Sequence, residues 1–391
     1  MTGVHVAGVG MTPFVRIGGP VAYPDMVGTA VRAALADAGL EWRQVQRAAV
    51  GYVFQPSAAG QRALYDLGPT GIPVVNVSNN CATGSTALML AREWIQGGQA
   101  DVALAVGFEQ MTRDALSGTA SGVSTIDRHL AALGPPPTGG TPLTAWLFAQ
   151  AAQEHMSTYG TTAADLARVA VKNHGHSTRN PLAQYRRPFT LDEVLADKPV
   201  AGPLTRSQCS PMSDGAAAAV LVSERLLGRV AGRPVRIAAQ QLVTDEPDAF
   251  AGAAIDVVGS GMTRRAARAA LAEAGAGIDD VDVVELHDCF SINELLTYEA
   301  LGMCAPGESA ALIRDGATGY GGRWVVNPSG GLISKGHPLG ATGLAQCAEL
   351  VWQLRGTAGD RQVPGCRLGL AHNLGLGGAC VVTLYQAGSL N

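Results

Sequence analysis

The sequence predicts an α/β fold built from two similar halves. Apolar, β-branched runs alternate with segments of helical spacing along the whole 391-residue chain. The same alternation starts again after a glycine-, proline- and arginine-containing break near residues 228–234. With 47% hydrophobic and only 15% charged residues, the chain is also long enough to bury a large core. We therefore predict two halves, over residues 1–230 and 231–391.

The first half begins with strands and helices whose ends are marked by glycine or turn formers. The predicted elements in chain order are a strand at 4–9, a helix at 26–38, extended structure at 45–54, a strand at 72–77, a helix at 82–95 and a strand at 102–108. Residues 109–145 then change character, with scattered glycines and a run of three prolines. So long an irregular stretch inside a compact chain is typical of a lid or binding loop.

Regular patterns resume after this stretch and continue into the second half. In the first half they are helices at 144–159 and 162–174 and a small-residue strand at 214–223. In the second half they are strands at 235–242 and 281–286, helices at 264–274, 291–302 and 342–354, a glycine-rich segment at 327–336, and closing strands at 366–371 and 379–385. No residue-level repeat relates the halves, so the predicted duplication depends on element order alone.

Composition and motifs exclude several classes of protein. A formal net charge of −4 without basic runs argues against nucleic-acid binding, and no apolar run approaches the length of a membrane span. Seven scattered cysteines without CxxC pairs indicate reduced thiols and a cytoplasmic location. Motifs for dinucleotides, nucleotide phosphates, serine hydrolysis and zinc proteases are absent from the sequence. We expect no metal and no cofactor.

Cys81 lies where the predicted strand at 72–77 gives way to the helix at 82–95. Unpaired backbone N–H groups and the positive end of a helix dipole favour a thiolate, which is the nucleophilic form of cysteine. The alternative is an inert buried cysteine, since free cysteine is among the most buried residue types.

Two stretches of the second half can supply chemistry to this thiol. In ELHDCF, His287 and Cys289 are spaced to share one face of extended structure. A zinc site on His287, Asp288 and Cys289 lacks a second cluster of ligands. In the segment NPSGGLISKGHPLGATG, glycines and prolines hold His337 just before a helix, which favours a catalytic histidine over one that merely completes a tight turn.

The remaining histidines and cysteines have plainer interpretations. His174 and His176 are predicted to be exposed at a polar helix end. Four cysteines outside special loops are interpreted as structural: Cys209, Cys304, Cys347 and Cys366. Cys380 is placed in the last strand.

Four motifs, in order, resemble the thiolase superfamily and specifically its sterol-carrier-protein-type (SCP-x-like) branch. They are NNCATGSTAL, HDCFSINELLTYEALG, NPSGGLISKGHPLGATG and HNLGLGGA. The resemblance runs over nearly the whole chain and does not include a fused sterol-carrier domain. It implies a duplicated, five-layered α/β/α/β/α fold with a loop domain inserted at about residues 109–200.

The resemblance also implies residue roles. Cys81 would be the acyl-accepting nucleophile and His337 the base that takes its proton. HDCF would supply Cys289 as the second acid/base, because the segment from 372 to 375 lacks the cysteine of ordinary thiolases, and His287 would join His337 in an oxyanion hole. Backbone N–H groups of Cys81 and Gly375 would form a second hole.

The implied activity is that of a 3-oxoacyl-CoA thiolase in fatty-acid or steroid-side-chain β-oxidation, with coenzyme A as a substrate. Ser210 is a candidate for contacting pantetheine, and Trp146 departs from the family pattern in a way that would reshape the acyl or pantetheine pocket. A homodimer or tetramer is implied. Two alternatives remain open: a Claisen-condensing enzyme or retro-aldolase working with an OB-fold partner, and a non-catalytic acyl-CoA-binding paralogue.

Overall fold

The computed structural model describes residues 2–113, 124–134 and 140–388. Its β-strands are β1 Val4–Met11, β2 Val15–Arg16, β3 Arg47–Gly51, β4 Val74–Val77, β5 Val102–Glu109, β6 Pro199–Ala201, β7 Leu204–Thr205, β8 Ser213–Ser223, β9 Val235–Val243, β10 Val283–Glu285, β11 Val325–Val326, β12 Leu368–Gly375 and β13 Ala379–Gln386. Its α-helices are α1 Tyr23–Ala38, α2 Ala59–Tyr65, α3 Thr83–Gln96, α4 Asp127–Leu133, α5 Leu143–Tyr159, α6 Ala163–Ser177, α7 Leu191–Leu195, α8 Ala254–Val257, α9 Ser260–Ala274, α10 Ser291–Leu301, α11 Ser309–Arg314, α12 Gly331–Lys335 and α13 Leu339–Arg355.

One continuous sheet runs through both halves, in the order β11-β10-β12-β13-β9-β1-β8-β5-β3-β4, with β2 paired beside β8. The halves join through a short antiparallel contact in which Val6 lies opposite Val235. Strands β4 and β11 form the two edges of this sheet.

The strand pattern of the second half repeats that of the first. Moving inward from the edge, β4 is parallel to β3 and β3 to β5, after which β8 and β1 are antiparallel. In the second half β11 is parallel to β10 and β10 to β12, after which β13 and β9 are antiparallel. The two halves therefore share strand order and direction, which confirms the predicted structural duplication.

Alternating side chains on each strand give the sheet two apolar faces, and these produce the layers. On β5, Ala103 and Ala105 face helices α3 and α13 in the middle of the molecule, whereas Leu104 and Val106 face the outer helix α1. The second half packs its inner face on the same two middle helices and its outer face on helices that include α9 and α10. The result is the predicted five-layered arrangement.

The middle helices approach very closely beside the site described below. A Cβ atom on Gly84 of α3 would lie 2.7 Å from the carbonyl oxygen of Gly340 in α13. The absence of a side chain at this position lets the two halves bring the first turns of their central helices together.

Most predicted elements are present, with ends shifted by a few residues. The helix predicted at 342–354 begins at Leu339 because Pro338 supplies the residue before its first turn. The stretch predicted to be irregular, 109–145, contains helix α4, while residues 114–123 and 135–139, with the three prolines, lie outside the described residues. Within the part of the chain that the structure describes, none of the helices has the length and hydropathy that a bilayer crossing requires.

Candidate active site

The loop between β4 and α3 presents Cys81. Asn80, just before it, has a positive φ of 50°, a conformation that few residues other than glycine adopt. The backbone N–H of Asn79 donates to the Thr83 hydroxyl (2.8 Å), which ties the loop to the first turn of the helix. Cys81 follows β4 by four residues and keeps some solvent exposure as a residue, although protein atoms surround its thiol.

The resting thiol of Cys81 is neutral. Burial raises its pKa to about 12, the nearby Glu109 carboxylate acts in the same direction, and its own backbone N–H opposes them. Helix α3 begins only at Thr83, so Cys81 precedes the helical residues. Burial therefore opposes the thiolate that the helix end was predicted to favour, and the nucleophilic role of Cys81 stays a prediction.

His337, which lies near the Cys81 sulfur, is a neutral imidazole that can act as a base. The Thr342 hydroxyl donates its single proton to the Pro338 carbonyl (2.9 Å), from which we infer that it accepts from Nδ1–H of His337, 2.7 Å away. Its Nε2 atom is buried and has no hydrogen-bond partner among the residues that the structure describes. Burial, with the Lys335 charge, lowers the pKa of His337 to about 3, so Nε2 keeps its lone pair at neutral pH.

His287 faces His337 across the site. The two imidazole rings lie 5.1 Å apart, edge to face. One ligand atom from each of these rings and the Cys81 sulfur all lie within 4.8 Å of one another. Burial, reinforced by His337 and His372, holds the pKa of His287 well below its ordinary value. The structure thus brings together the thiol of the first half and two neutral imidazoles of the second.

Cys289 completes the group of four predicted side chains. It is buried, and burial raises its pKa well above the ordinary value, with the neighbouring Cys81 and Asp288 acting in the same direction. Asp288, between it and His287, turns away from the site: its carboxylate accepts hydrogen bonds from Asn173 (2.8 Å) and from the backbone N–H of Leu332 (2.7 Å). The three consecutive residues from 287 to 289 do not form a common set of metal ligands.

Gly375, at the end of β12, lies against the nucleophile loop. A Cβ atom here would lie 2.2 Å from the carbonyl oxygen of Asn79 and 3.1 Å from the backbone nitrogen of Ala82. Only glycine permits this approach, which places the Gly375 backbone beside Cys81 as the predicted second oxyanion hole requires.

The two candidate substrate contacts occupy different environments. Ser210 is partly exposed, and its backbone N–H donates to the Cys289 carbonyl (2.8 Å), which places it next to the acid/base candidate. Trp146 is buried on α5 in the same core cluster as Cys289 and Phe290. Their roles in substrate binding stay predictions.

The prediction that His174 and His176 are exposed is wrong. Both are buried, and burial lowers the pKa of each. His174 hydrogen-bonds the Ser334 hydroxyl (2.9 Å), and Nδ1 of His176 donates to the Asn327 carbonyl (3.0 Å). Helix α6 therefore uses its last turn to hold the segment that leads to His337.

Buried polar side chains that were not predicted from the sequence also support the site. Glu109 accepts hydrogen bonds from the backbone of Phe54 (3.0 Å) and Gly340 (3.1 Å). The Glu294 carboxylate accepts from Asn173 (2.7 Å) and Asn327 (3.0 Å) and pairs with Lys172 (2.7 Å). Glu294 lies inside the motif HDCFSINELLTYEALG, but neither it nor Glu109 gives a local signal of this role, because their hydrogen-bond partners are distant in the chain.

A thiol, a partnerless imidazole nitrogen and a second thiol in one site form the arrangement that a cysteine-dependent acyltransferase requires. Comparisons with known proteins agree. The thiolase N-terminal domain matches residues 4–194, and the thiolase C-terminal domain-like family matches residues 250–385. The chain belongs to the thiolase family.

Individual relatives support this assignment, and solved structures show the same fold. The chain is 52% identical to sterol carrier protein 2 of Oryctolagus cuniculus, over 98% of this chain and 72% of that protein. It is 38% identical to acetyl-CoA acetyltransferase of Methanothermobacter thermautotrophicus, over 99% and 100% of the two chains. Among solved structures, the Ltp2-ChsH2(DUF35) aldolase matches with a TM-score of 0.84 at 25% identity (99% and 98% covered), and human mitochondrial 3-ketoacyl-CoA thiolase with 0.72 at 20% identity (99% of each).

Proposed function

We propose that this thiolase-family acyltransferase is a 3-oxoacyl-CoA thiolase that works through a Cys81 acyl-enzyme. The observation that carries the proposal is the partnerless Nε2 of His337 beside the Cys81 thiol. A neutral thiol and a neutral imidazole lone pair are what concerted proton removal and nucleophilic attack need.

In the first half of the reaction, His337 Nε2 takes the Cys81 proton as sulfur attacks C3 of the 3-oxoacyl-CoA. The C2–C3 bond then breaks, and its electron pair moves into an enolate on the departing acyl-CoA. His337, now carrying a proton on Nε2, and His287 donate hydrogen bonds to the enolate oxygen. Cys289 protonates C2, which releases the short acyl-CoA that carries C1 and C2, while the shortened acyl chain stays on Cys81 as a thioester.

In the second half, the Cys289 thiolate takes the proton of a CoA thiol, which attacks the acyl group on Cys81. The backbone N–H groups of Cys81 and Gly375 stabilise the tetrahedral oxyanion. Collapse expels the Cys81 sulfur, which takes back its proton from Nε2 of His337, and releases the shortened acyl-CoA, with CoA consumed as a substrate. In reverse, the same groups perform a Claisen condensation.

Intact-protein mass spectrometry with a panel of 3-oxoacyl-CoA esters tests this proposal. We expect an acyl adduct that maps to Cys81 and disappears when free CoA is added. Cys81→Ala should form no adduct and lose turnover while keeping its circular dichroism spectrum. Near-normal turnover by Cys81→Ala would refute the mechanism.

A retro-aldolase is the second candidate, supported by the match to the Ltp2-ChsH2(DUF35) aldolase. Such an enzyme would work with a small OB-fold partner. Retro-aldol cleavage of a 3-hydroxyacyl-CoA needs a base and enolate stabilisation but neither a nucleophilic thiol nor CoA. Cleavage that persists in Cys81→Ala and needs no CoA would identify this chemistry. Binding of acyl-CoA without either reaction would instead identify a non-catalytic paralogue.

Pathway, compartment and assembly complete the proposal. The relative named sterol carrier protein 2 supports lipid substrates, and we place the reaction in fatty-acid or steroid-side-chain β-oxidation. All seven cysteines are free thiols, which supports a reducing, cytoplasmic compartment.

Edge strand β4 exposes Val75, and we propose a homodimer or tetramer formed through this edge. Light scattering on wild type and Val75→Lys tests the assembly.

A further inference from the structure

We propose that Asn373, held by Ser85, is a positioning residue that fixes the proton of His287 on Nε2 and so makes this imidazole a hydrogen-bond donor in the site. The inference rests on the proposed thiolase chemistry, in which His287 must present an N–H to the enolate oxygen. Ser85 lies on α3, two residues into the helix that follows Cys81, and Asn373 lies on β12.

The hydrogen bonds form a chain of three buried side chains. The Ser85 hydroxyl donates to Oδ1 of Asn373 (2.9 Å), which leaves the amide nitrogen facing Nδ1 of His287 at 3.2 Å. All three residues are at most 3% exposed. An amide N–H in this position needs a lone pair on Nδ1, and a neutral imidazole with a lone pair on Nδ1 carries its proton on Nε2.

Two hydrogen bonds also fix the backbone of His287, which limits movement of its ring away from the site. Its N–H is directed at Nδ1 of His372 (3.4 Å), and its carbonyl accepts from the side-chain amide of Asn293. His372 in turn contacts the Thr263 hydroxyl through Nε2 (3.0 Å). His372 and Asn373 thus hold His287 in place. Both lie on β12, the strand on which ordinary thiolases are expected to carry their second catalytic cysteine.

The two histidines of the site therefore start in opposite states. Thr342 accepts the Nδ1 proton of His337 and leaves Nε2 as a base, whereas Asn373 occupies the Nδ1 lone pair of His287 and leaves Nε2 as a donor. A pair of neutral imidazoles in identical tautomers would offer either two bases or two donors. Because the two Nδ1 atoms have different hydrogen-bond partners, the site contains one base and one donor before substrate binds.

Asn373→Asp tests the assignment with almost no change in shape. A carboxylate accepts but does not donate, so it should draw the His287 proton to Nδ1 and remove the donor from the site. We expect kcat for C2–C3 cleavage to fall about a hundred- to thousand-fold with KM little changed, the loss seen on removing one oxyanion donor. Gln240→Glu, which makes the same change at a buried amide bonded to Thr383, is the control and should keep kcat near that of wild type.

The pH profile separates this role from a structural one. Lowering the pH protonates the introduced carboxylate or doubly protonates His287, and either event restores the Nε2 donor, so the deficit of Asn373→Asp should shrink as pH falls. The titratable groups that face His287 are Cys81, Cys289, His337 and His372; their pKa values are shifted so that all four stay neutral near pH 7. A deficit independent of pH would overturn the proposal.

Ser85→Ala is the second variant if the buried carboxylate prevents folding. Loss of the hydroxyl frees the Asn373 amide to flip, so we expect a mixture of His287 tautomers and a fall in kcat on the order of tenfold. Unchanged kcat in this variant would contradict the chain of hydrogen bonds.

Solid-state 15N NMR of histidine-labelled wild-type protein reads the tautomer without any turnover. The His287 signals, assigned by their loss in His287→Gln, should show an unprotonated Nδ1 and a protonated Nε2. A protonated Nδ1 would overturn the inference even if thiolysis is confirmed. Conversely, absence of a Cys81 adduct would remove the proposed function while leaving the NMR result to decide the tautomer.

Discussion

The side-chain amide of Asn80 donates a hydrogen bond to the carbonyl oxygen of Leu376 over 2.8 Å. It connects the residue just before the nucleophile with the turn that follows Gly375. The loop from the first half and the turn from the second half therefore hold one another in place, although they are separated by nearly 300 residues of sequence. Both flank the backbone N–H groups assigned to the second oxyanion hole.

Replacing Asn80 should separate backbone strain from this hydrogen bond. Asn80→Gly keeps the positive φ but loses the bond, and we expect a stability loss of about 1 kcal/mol. Asn80→Ala also forces an ordinary side chain into the left-handed region and should cost roughly 1 kcal/mol more. Denaturant unfolding measures both variants, and kcat should fall on the order of tenfold as the nucleophile shifts. Equal stability of the two variants would show that the backbone conformation at residue 80 carries no strain.

Cys289→Ala should uncouple the two halves of the reaction. Acylation at Cys81 remains measurable because its base, His337, is untouched, but release to CoA stalls because nothing deprotonates the incoming thiol. Single-turnover kinetics with rapid quenching and mass spectrometry follow the adduct. Cys347→Ala, a buried thiol on α13, is the matched control and should release its acyl group normally. Rapid release by Cys289→Ala would refute its role as acid/base.

Alkylation of Cys81 should depend steeply on pH. Since its pKa is raised to about 12, the thiolate fraction, and with it the rate of reaction with iodoacetamide, should rise continuously from neutral pH to about pH 10. Peptide mapping isolates Cys81 from the partly exposed Cys209 and Cys304, and Cys81→Ser gives the background. A rate that levels off below pH 7 would indicate a resting thiolate–imidazolium pair instead.

Zinc should inhibit the enzyme reversibly. Cys81, His287 and His337 offer one sulfur and two nitrogens within 4.8 Å of one another, a set of the type that binds Zn²⁺. Because the metal must displace the thiol proton, inhibition should strengthen as pH rises. Initial rates with Zn²⁺ before and after EDTA check this, with Mg²⁺, which prefers oxygen ligands, as the control. Full activity in excess Zn²⁺ would contradict the convergence of the three atoms.

Features that depend on residues close together in the chain could be predicted from the sequence. Cys81, His287, Cys289 and His337 each lie in a motif whose glycines, prolines or neighbouring strand define the geometry. The structure brings ligand atoms of Cys81, His287 and His337 within 4.8 Å of one another, with Cys289 two residues along the chain from His287. Boundaries such as that of α13 were misjudged by only a few residues, because caps shift ends without changing the pattern.

Features that depend on distant partners could not be predicted. His174 and His176 look exposed on a polar helix end, yet they are buried because segments from Ser334 and Asn327 pack on that helix. The role of Asn373 likewise depends on Ser85, 288 residues away. The neutral Cys81 thiol reflects burial by the second half, which a strand-to-helix pattern in the first half does not contain.

The repeated strand order has a consequence for the origin of the site. Cys81 lies in the connection between edge strand β4 and central helix α3, and His337 lies in the connection between edge strand β11 and central helix α13. These are equivalent positions in the two halves. A symmetric pair of identical halves would place two copies of one loop together, with the same residue on both sides. In this single chain the two halves can mutate independently, so one loop can carry the nucleophile and the equivalent loop of the other half the base.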